Sequence, residues 1–214
     1  FGELGMIRST IGMFIILGAG GIGVTATKHI ADFRKNQQDH AASIYKMSSL
    51  FSLILGAIVT ILALATAQLL AEDYLKSTRL TTPLIIGSFI LFFSILNSSE
   101  NGTLTGLEDF KSIAINTFIS SLVESVFMVC GSYLYGIEGA IAGFGIGVVC
   151  LYITNKRSAI IGLHKSGIAT NRKNVKREDW KLLYQYNIPA TFSALSVTPV
   201  FWLVRSMLVR TCNY

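Results

Sequence analysis

Six apolar stretches alternate with polar connectors along this chain, and its basic residues fall mainly in every second connector. Five of the six are as long as the roughly 20 residues of helix that a bilayer core requires. Inside hydrocarbon every backbone polar group must bond internally, so helix is the expected form of each run. The stretches lie at 4–26, 44–71, 82–104, 113–135, 139–153 and 188–209. Only 14% of the residues are charged and 51% are hydrophobic, where a soluble domain carries about 25% charged residues. The sequence therefore predicts an all-α, polytopic membrane helix bundle of about six spans.

The connectors give an orientation. With 27–43 placed inside, alternation puts 72–81 outside, 106–112 inside, 136–138 outside and 155–187 inside. Counting Lys46 with its flanking loop, thirteen Lys and Arg fall inside and two outside, Lys76 and Arg79; Arg8, Arg205 and Arg210 lie in or at the ends of spans. Excess Lys and Arg mark the cytoplasmic side, so 27–43, 106–112 and 155–187 are expected to be cytoplasmic. Eight basic residues lie within 155–181. The net charge of +6 is accounted for by this bias and by attraction to anionic head groups, not by nucleic acid. Residues 174–186 can form an amphipathic interfacial helix with Trp180, Leu183 and Tyr184 on one side. The link at 136–138 implies a tight antiparallel hairpin between the fourth and fifth stretches.

Cys130, Cys150 and Cys212 show no disulfide or zinc spacing, and His29, His40 and His164 all lie in polar connectors. No metal centre is expected. The run Gly18-Ala-Gly20-Gly21-Ile-Gly23 fits a dinucleotide fingerprint, but no second strand ending in an acidic residue follows it. These glycines read as helix-packing residues. Gly139, Gly143 and Gly147 recur every four residues, a small-residue seam that lets one helix press on another. Asn101-Gly-Thr103 is a sequon at the expected cytoplasmic end of a span, where it would not be modified. No nucleophile elbow, phosphate loop or paired catalytic carboxylates appear, so transport or scaffolding is expected ahead of catalysis.

Charged and amide residues within the spans carry the functional signal. An acidic residue at the centre of a span costs about 2.5–3.5 kcal/mol on insertion scales and is expected to face protein or a wet cavity. Glu124 is such a residue, and Asn116 and Ser120 share its helical face. On the third stretch Ser94, Asn97 and Asn101 share a face, with Glu100 beside it. Arg8 and Arg205 lie within the first and last stretches, toward the outer side.

Short segments in a fixed order resemble polysaccharide flippases of the O-antigen, Wzx-like type. Phe1-Gly-Glu-Leu-Gly5 is similar to the start of their second membrane helix, and Gly21-Ile-Gly23 with Thr27-Lys28-His29-Ile30-Ala31 to its end. Gly106-Leu-Glu-Asp-Phe-Lys111 resembles the cytoplasmic turn after the fourth helix. Gly136-Ile-Glu-Gly-Ala-Ile-Ala-Gly143 resembles the outer turn between the fifth and sixth. Tyr184-Gln-Tyr-Asn-Ile-Pro189, with Leu195-Ser196, is similar to the entry to the seventh. The family belongs to the multidrug/oligosaccharidyl-lipid/polysaccharide exporter group, whose members enclose a cavity between two lobes of six helices.

The resemblance implies three parts: 1–154, a first lobe lacking its first helix; 155–187, a basic cytoplasmic linker; and 188–214, the first helix of a second lobe. On that reading the chain is a piece of a longer protein. It implies movement of an isoprenoid-diphosphate-linked oligosaccharide across the bacterial inner membrane for surface polysaccharide biosynthesis. Membrane lipids and polysaccharide polymerase machinery are the expected partners, with no cofactor beyond H+ or Na+ coupling and no enzymatic activity. Residue type and helix face then suggest Arg8 and Arg205 for the diphosphate. Asn97, Asn101, Asn116 and Ser120 are suggested for sugar hydroxyls, and Glu124 and Glu100 for coupling or an ion pair. A drug or cation antiporter of the same fold and a non-transport scaffold are the rival readings.

Overall fold

A computed structural model describes residues 2–19, 21–71 and 81–169, with 189 and 204 as isolated positions. The expected span at 188–209, the amphipathic segment at 174–186, Arg205 and nearly all of the 72–81 connector lie outside the described residues. Within them every regular element is a helix: α1 Gly2–Ala19, α2 Ile22–Phe33, α3 Gln38–Leu69, α4 Thr81–Gly106 and α5 Phe110–Lys165. Three of these, α3, α4 and α5, are long and apolar enough to cross a membrane. The 56-residue α5 is two arms in one: Tyr135 and Gly136 leave helical geometry, and Gly136 takes a φ of 60°, a conformation that a residue without a Cβ adopts without strain.

The arms fold back on each other as the hairpin reading requires. Gly139 lies against the Gly131 backbone, Gly143 against Phe127 and Met128, and Gly147 against Glu124. This constant register radiates from the turn at 135–136. The glycine seam thus presses one arm on the other, backbone to backbone. Membrane helices gain little from hydrophobic sorting, so association of this kind rests on close packing and on hydrogen bonds.

Helix α4 packs against every other helix. Its contact with α1 and α2 keeps a parallel register: the Ser98 hydroxyl donates to the Ala19 carbonyl at 3.2 Å, Gly102 meets Gly23, and Gly106 meets Thr27 and Ile30. The first apolar stretch is interrupted between Ala19 and Ile22, so it forms two helices and not one span ending near residue 26. Gly18 abuts Ile95 and Val59, and Gly23 abuts Ser98; these glycines serve packing, as read from the sequence.

The helices also run further than hydropathy indicates. α2 continues to Phe33, α3 begins at Gln38, and α5 continues to Lys165. The connector read as 27–43 shortens to 34–37, and residues 155–165 are a helix docked on the lobe. Hydropathy marks where hydrocarbon ends, whereas a helix continues while one face stays packed. That packing is visible in a cluster of Ile30, Ile44, Tyr45, Leu163 and Ile168 with Phe33 and Leu107 against it.

Polar contacts fasten the same end. The Arg34 guanidinium donates to the Leu107 carbonyl at 2.7 Å and pairs with Glu108 at 2.6 Å, and the Gln38 amide donates to the Ser166 carbonyl at 3.1 Å. Residues 34–37, 107–109 and 166–168 therefore meet at one end of the lobe, here termed the inner end, as the alternation of charge requires. Asp109 caps α5 there, accepting from the Ser112 amide at 3.1 Å and the Ser112 hydroxyl at 2.7 Å. A second apolar cluster, including Ile7, Ala71, Leu84 and Ile141, lies toward the other end.

Two predictions follow from this packing. Gly139→Leu must separate the α5 arms and is expected to cost about 1–3 kcal/mol or more, measured as a lowered thermal midpoint in detergent. Gly12→Leu, where an added Cβ meets nothing within 4 Å, is expected to leave the midpoint unchanged. The Arg34 hydrogen bond and charge hold the Glu108 carboxyl below its usual range. A carboxylate with a depressed folded value contributes fully above the unfolded value, about 4.3 for Glu, and loses its contribution as pH falls through the lower folded one. Glu108→Gln is therefore expected to reduce stability slightly at pH 7 and to make no difference under strong acid, checked by unfolding curves at both pH values.

Candidate functional site

The side chains expected from the sequence to act together divide into three settings. In the first, Arg8 of α1 reaches Glu124 on the first arm of α5, with Nη2 to Oε1 at 3.0 Å. The guanidinium also lies over the Phe144 ring, 4.4 Å from its centroid, a favourable cation–π geometry. Gly147 makes this arrangement fit, because a side chain there would strike Glu124. The pair joins three helical segments and is open on one side, with side-chain exposures of 44% for Arg8 and 24% for Glu124. Neutralising a charge with a partner reduces its insertion cost, but an exposed pair at span depth still calls for water or protein beyond it, not lipid.

In the second setting amides are used up in packing. Asn155 donates to the Asn97 side-chain oxygen at 2.9 Å, and Asn116 donates to Asn155 at 2.9 Å and to Ser158 at 3.0 Å. Asn155, only 1% exposed, thereby ties α4 to both arms of α5. Asn97 and Asn116, suggested from their helix faces for sugar hydroxyls, are engaged in this ladder. Ser120 is also buried, and its hydroxyl has no hydrogen-bond partner among the described residues. Asn155 was missed by the sequence reading because it follows the end of an apolar run and was assigned to the linker. The i, i+3 spacing of Asn155 and Ser158 was the available signal.

Glu100 defines the third setting. It is 1% exposed and turned toward α3, where the Tyr45 hydroxyl donates to it. Its Oε2 has no hydrogen-bond partner among the described residues. Lys156 supplies the nearby positive charge and itself donates to the Tyr152 hydroxyl at 3.1 Å. The Glu100 carboxyl is thus enclosed within the lobe, separate from the Arg8–Glu124 pair. Asn101 is different again: it is exposed and lines a cavity beside α2. Arg205 lies outside the described residues. Among the described residues no three His, Cys, Asp or Glu side chains converge.

A helical lobe with two apolar helices packed through glycine, a broken helix beside them and an ion pair on an open face at span depth is the architecture of a multi-pass membrane protein. The chain belongs to the polysaccharide biosynthesis protein family, whose pattern it matches over residues 1–211. No curated protein matches it. Its fold is similar to a solved structure described as an inward-facing conformation of a multidrug resistance MATE family transporter of the MOP superfamily, with a TM-score of 0.73 and 19% identity. That match covers 97% of this chain and 50% of the other, so the chain spans half the length of the transporter it resembles.

Because Gly147 supplies the space beside Glu124, Gly147→Ala is expected to uncouple the ion pair. A double-mutant cycle on Arg8→Ala and Glu124→Ala, read by thermal unfolding, should give a coupling of about 0.5–1 kcal/mol in the native background. With Ala at 147 it should fall toward zero.

Proposed function

We propose that this chain supplies one wall of a transporter that moves an isoprenoid-diphosphate-linked oligosaccharide from the inner to the outer leaflet of the bacterial inner membrane. The observation that carries this reading is the Arg8–Glu124 pair, half open at span depth on three converging helical segments. A diphosphate cannot enter hydrocarbon without compensation for its lost hydration. An arginine offers it a planar, paired set of donors. When no substrate is present, Glu124 satisfies the guanidinium; when the diphosphate arrives, Arg8 exchanges one anion for another and Glu124 is released to take a proton or a cation. That exchange couples substrate entry to an ion without a metal-binding cluster.

Arg205 is a second candidate for the same diphosphate from outside the described residues. Asn101 is the amide of the suggested set that stays open toward a polar ligand. Membership of a polysaccharide biosynthesis family supports a sugar-bearing cargo. The basic inner end supports entry from the cytoplasmic side, and polysaccharide polymerase machinery is the candidate partner after translocation. An antiporter of drugs or cations is the second reading, favoured by the enclosed carboxylate of Glu100 and by the likeness to a multidrug resistance transporter.

Translocation of a lipid-linked oligosaccharide by the intact protein in vesicles tests the choice. Arg8→Ala is expected to lower the rate at least about tenfold, the loss of one charge-assisted contact, while Glu124→Gln should alter its dependence on pH or Na+. Native rates in both Arg8→Ala and Arg205→Ala would sink the cationic cavity. Export of an organic cation, abolished by Glu100→Gln and indifferent to Arg8, would favour the antiporter.

A further inference from the structure

The buried Glu100 carboxyl sits beside a lysine that is bonded elsewhere. The Asn155–Asn97 bond of 2.9 Å holds the α5 turn carrying Lys156 against the α4 turn carrying Glu100. From α3 the Tyr45 hydroxyl donates to the carboxyl, and Lys156 is the nearby cation. The titratable groups on the other helices around α4 have their own settings. Arg8 of α1 is paired with Glu124 at 3.0 Å, and His29 of α2 stacks on Phe33. Lys28 of α2 lines the groove beside Asn101. Lys156 is not bonded to the Glu100 Oε2, which has no hydrogen-bond partner among the described residues. Its ammonium donates instead to the Tyr152 hydroxyl at 3.1 Å, one turn back on the same helix, and lies 5.4 Å from the centroid of that ring. An ammonium has three hydrogens to give, and this bond uses one.

A carboxylate that is 1% exposed and held by a single donor is poorly compensated, because its second oxygen has given up water for nothing. The neutral acid loses far less. The observed geometry therefore fits a Glu100 that carries its proton, with Lys156 turned away to Tyr152. Loss of that proton to water at the inner end would leave a charged oxygen facing an ammonium with unused hydrogens. Pairing the two satisfies both. We propose that Lys156 is a proton-governed latch, resting on Tyr152 while Glu100 is neutral and closing onto its Oε2 when Glu100 is ionised. Closing adds an ion pair beside the Asn155–Asn97 bond and clamps the 155–165 extension of α5 to α4; proton uptake opens it. The exchange is a rotation of one flexible side chain. No covalent bond changes except the carboxyl O–H. The latch is separate from the Arg8–Glu124 pair and does not depend on the transport reading.

Infrared spectroscopy of the intact protein in nanodiscs tests the latch, because a protonated carboxyl has a C=O band that a carboxylate lacks. Near neutral pH the wild type is expected to show such a band, and Glu100→Gln to lose it. Tyr152→Phe removes the resting partner of Lys156 but keeps the ring that lies 6.0 Å from Phe93, so the fold is expected to survive. In that variant the ratio of protonated to ionised Glu100 is expected to fall about tenfold, the effect of bringing one opposite charge into contact. Adding Lys156→Met to Tyr152→Phe should restore the band, which a merely structural role for the phenol would not do. A wild type without the Glu100 band would mean an ionised acid with its lysine still on Tyr152, and would overturn the latch. An unchanged ratio in Tyr152→Phe would show that Lys156 does not cross to Glu100. A fall that persists after Lys156→Met would assign the effect to the phenol, and either result overturns the proposal.

Discussion

The lobe depends on backbone approaching backbone. Where Gly102 meets Gly23 and Gly139 meets Gly131, no side chain separates the helices. In lipid the hydrophobic effect does not draw helices together, because a leucine against an acyl chain is already in apolar surroundings. Intimate contact restores dispersion forces that a looser pairing would forfeit. α4 is central because every other helix packs on it, and its own small residues serve the α1–α2 side: Gly87 against Ile11, and Gly102 and Gly106 against α2. The remaining helices are arranged around that strut.

Polar groups are distributed in two ways over this frame. The Asn97–Asn155–Asn116 ladder is closed: its amides satisfy one another across three helical segments. Such bonds contribute about 0.6 kcal/mol on average in a bilayer, and their directionality sets the rotation of each helix. The Arg8–Glu124 pair has one open side. A closed network holds geometry, whereas a half-open charge pair can trade partners. That difference, rather than residue type, separates positions that fasten the lobe from positions that can act on a ligand.

Much of this was legible in the chain. The hairpin turn at 136–138, the seam of Gly139, Gly143 and Gly147, and the meeting of the basic connectors at one end follow from periodicity and charge alone. An Arg partner for Glu124 was foreseeable, since an acid at span depth requires compensation. The partition of the amides was not. Asn97, Asn101 and Asn116 look equivalent on a helical wheel, yet Asn155 selects the first and third and leaves Asn101 open. That choice is made by the register between helices, which no single helix encodes. Helix ends were also misplaced, because Phe33, Gln38 and Lys165 lie in polar sequence where hydropathy falls silent but tertiary packing still holds the backbone.

The continuation of α5 to Lys165 has a mechanical side. Leu163 anchors this extension among α2 and α3 residues, Ala159 on it is fully buried, and Gly167, with a φ of 74°, ends it abruptly. From Lys165 back to Asn155 the helix is unbroken over about 15 Å, a stiff rod with its far end in the amide ladder. Any tension or twist delivered from the basic segment beyond residue 169 would enter the lobe through this lever. Its load would arrive at Asn155, on the bonds that fix how α4 and the two arms of α5 are turned.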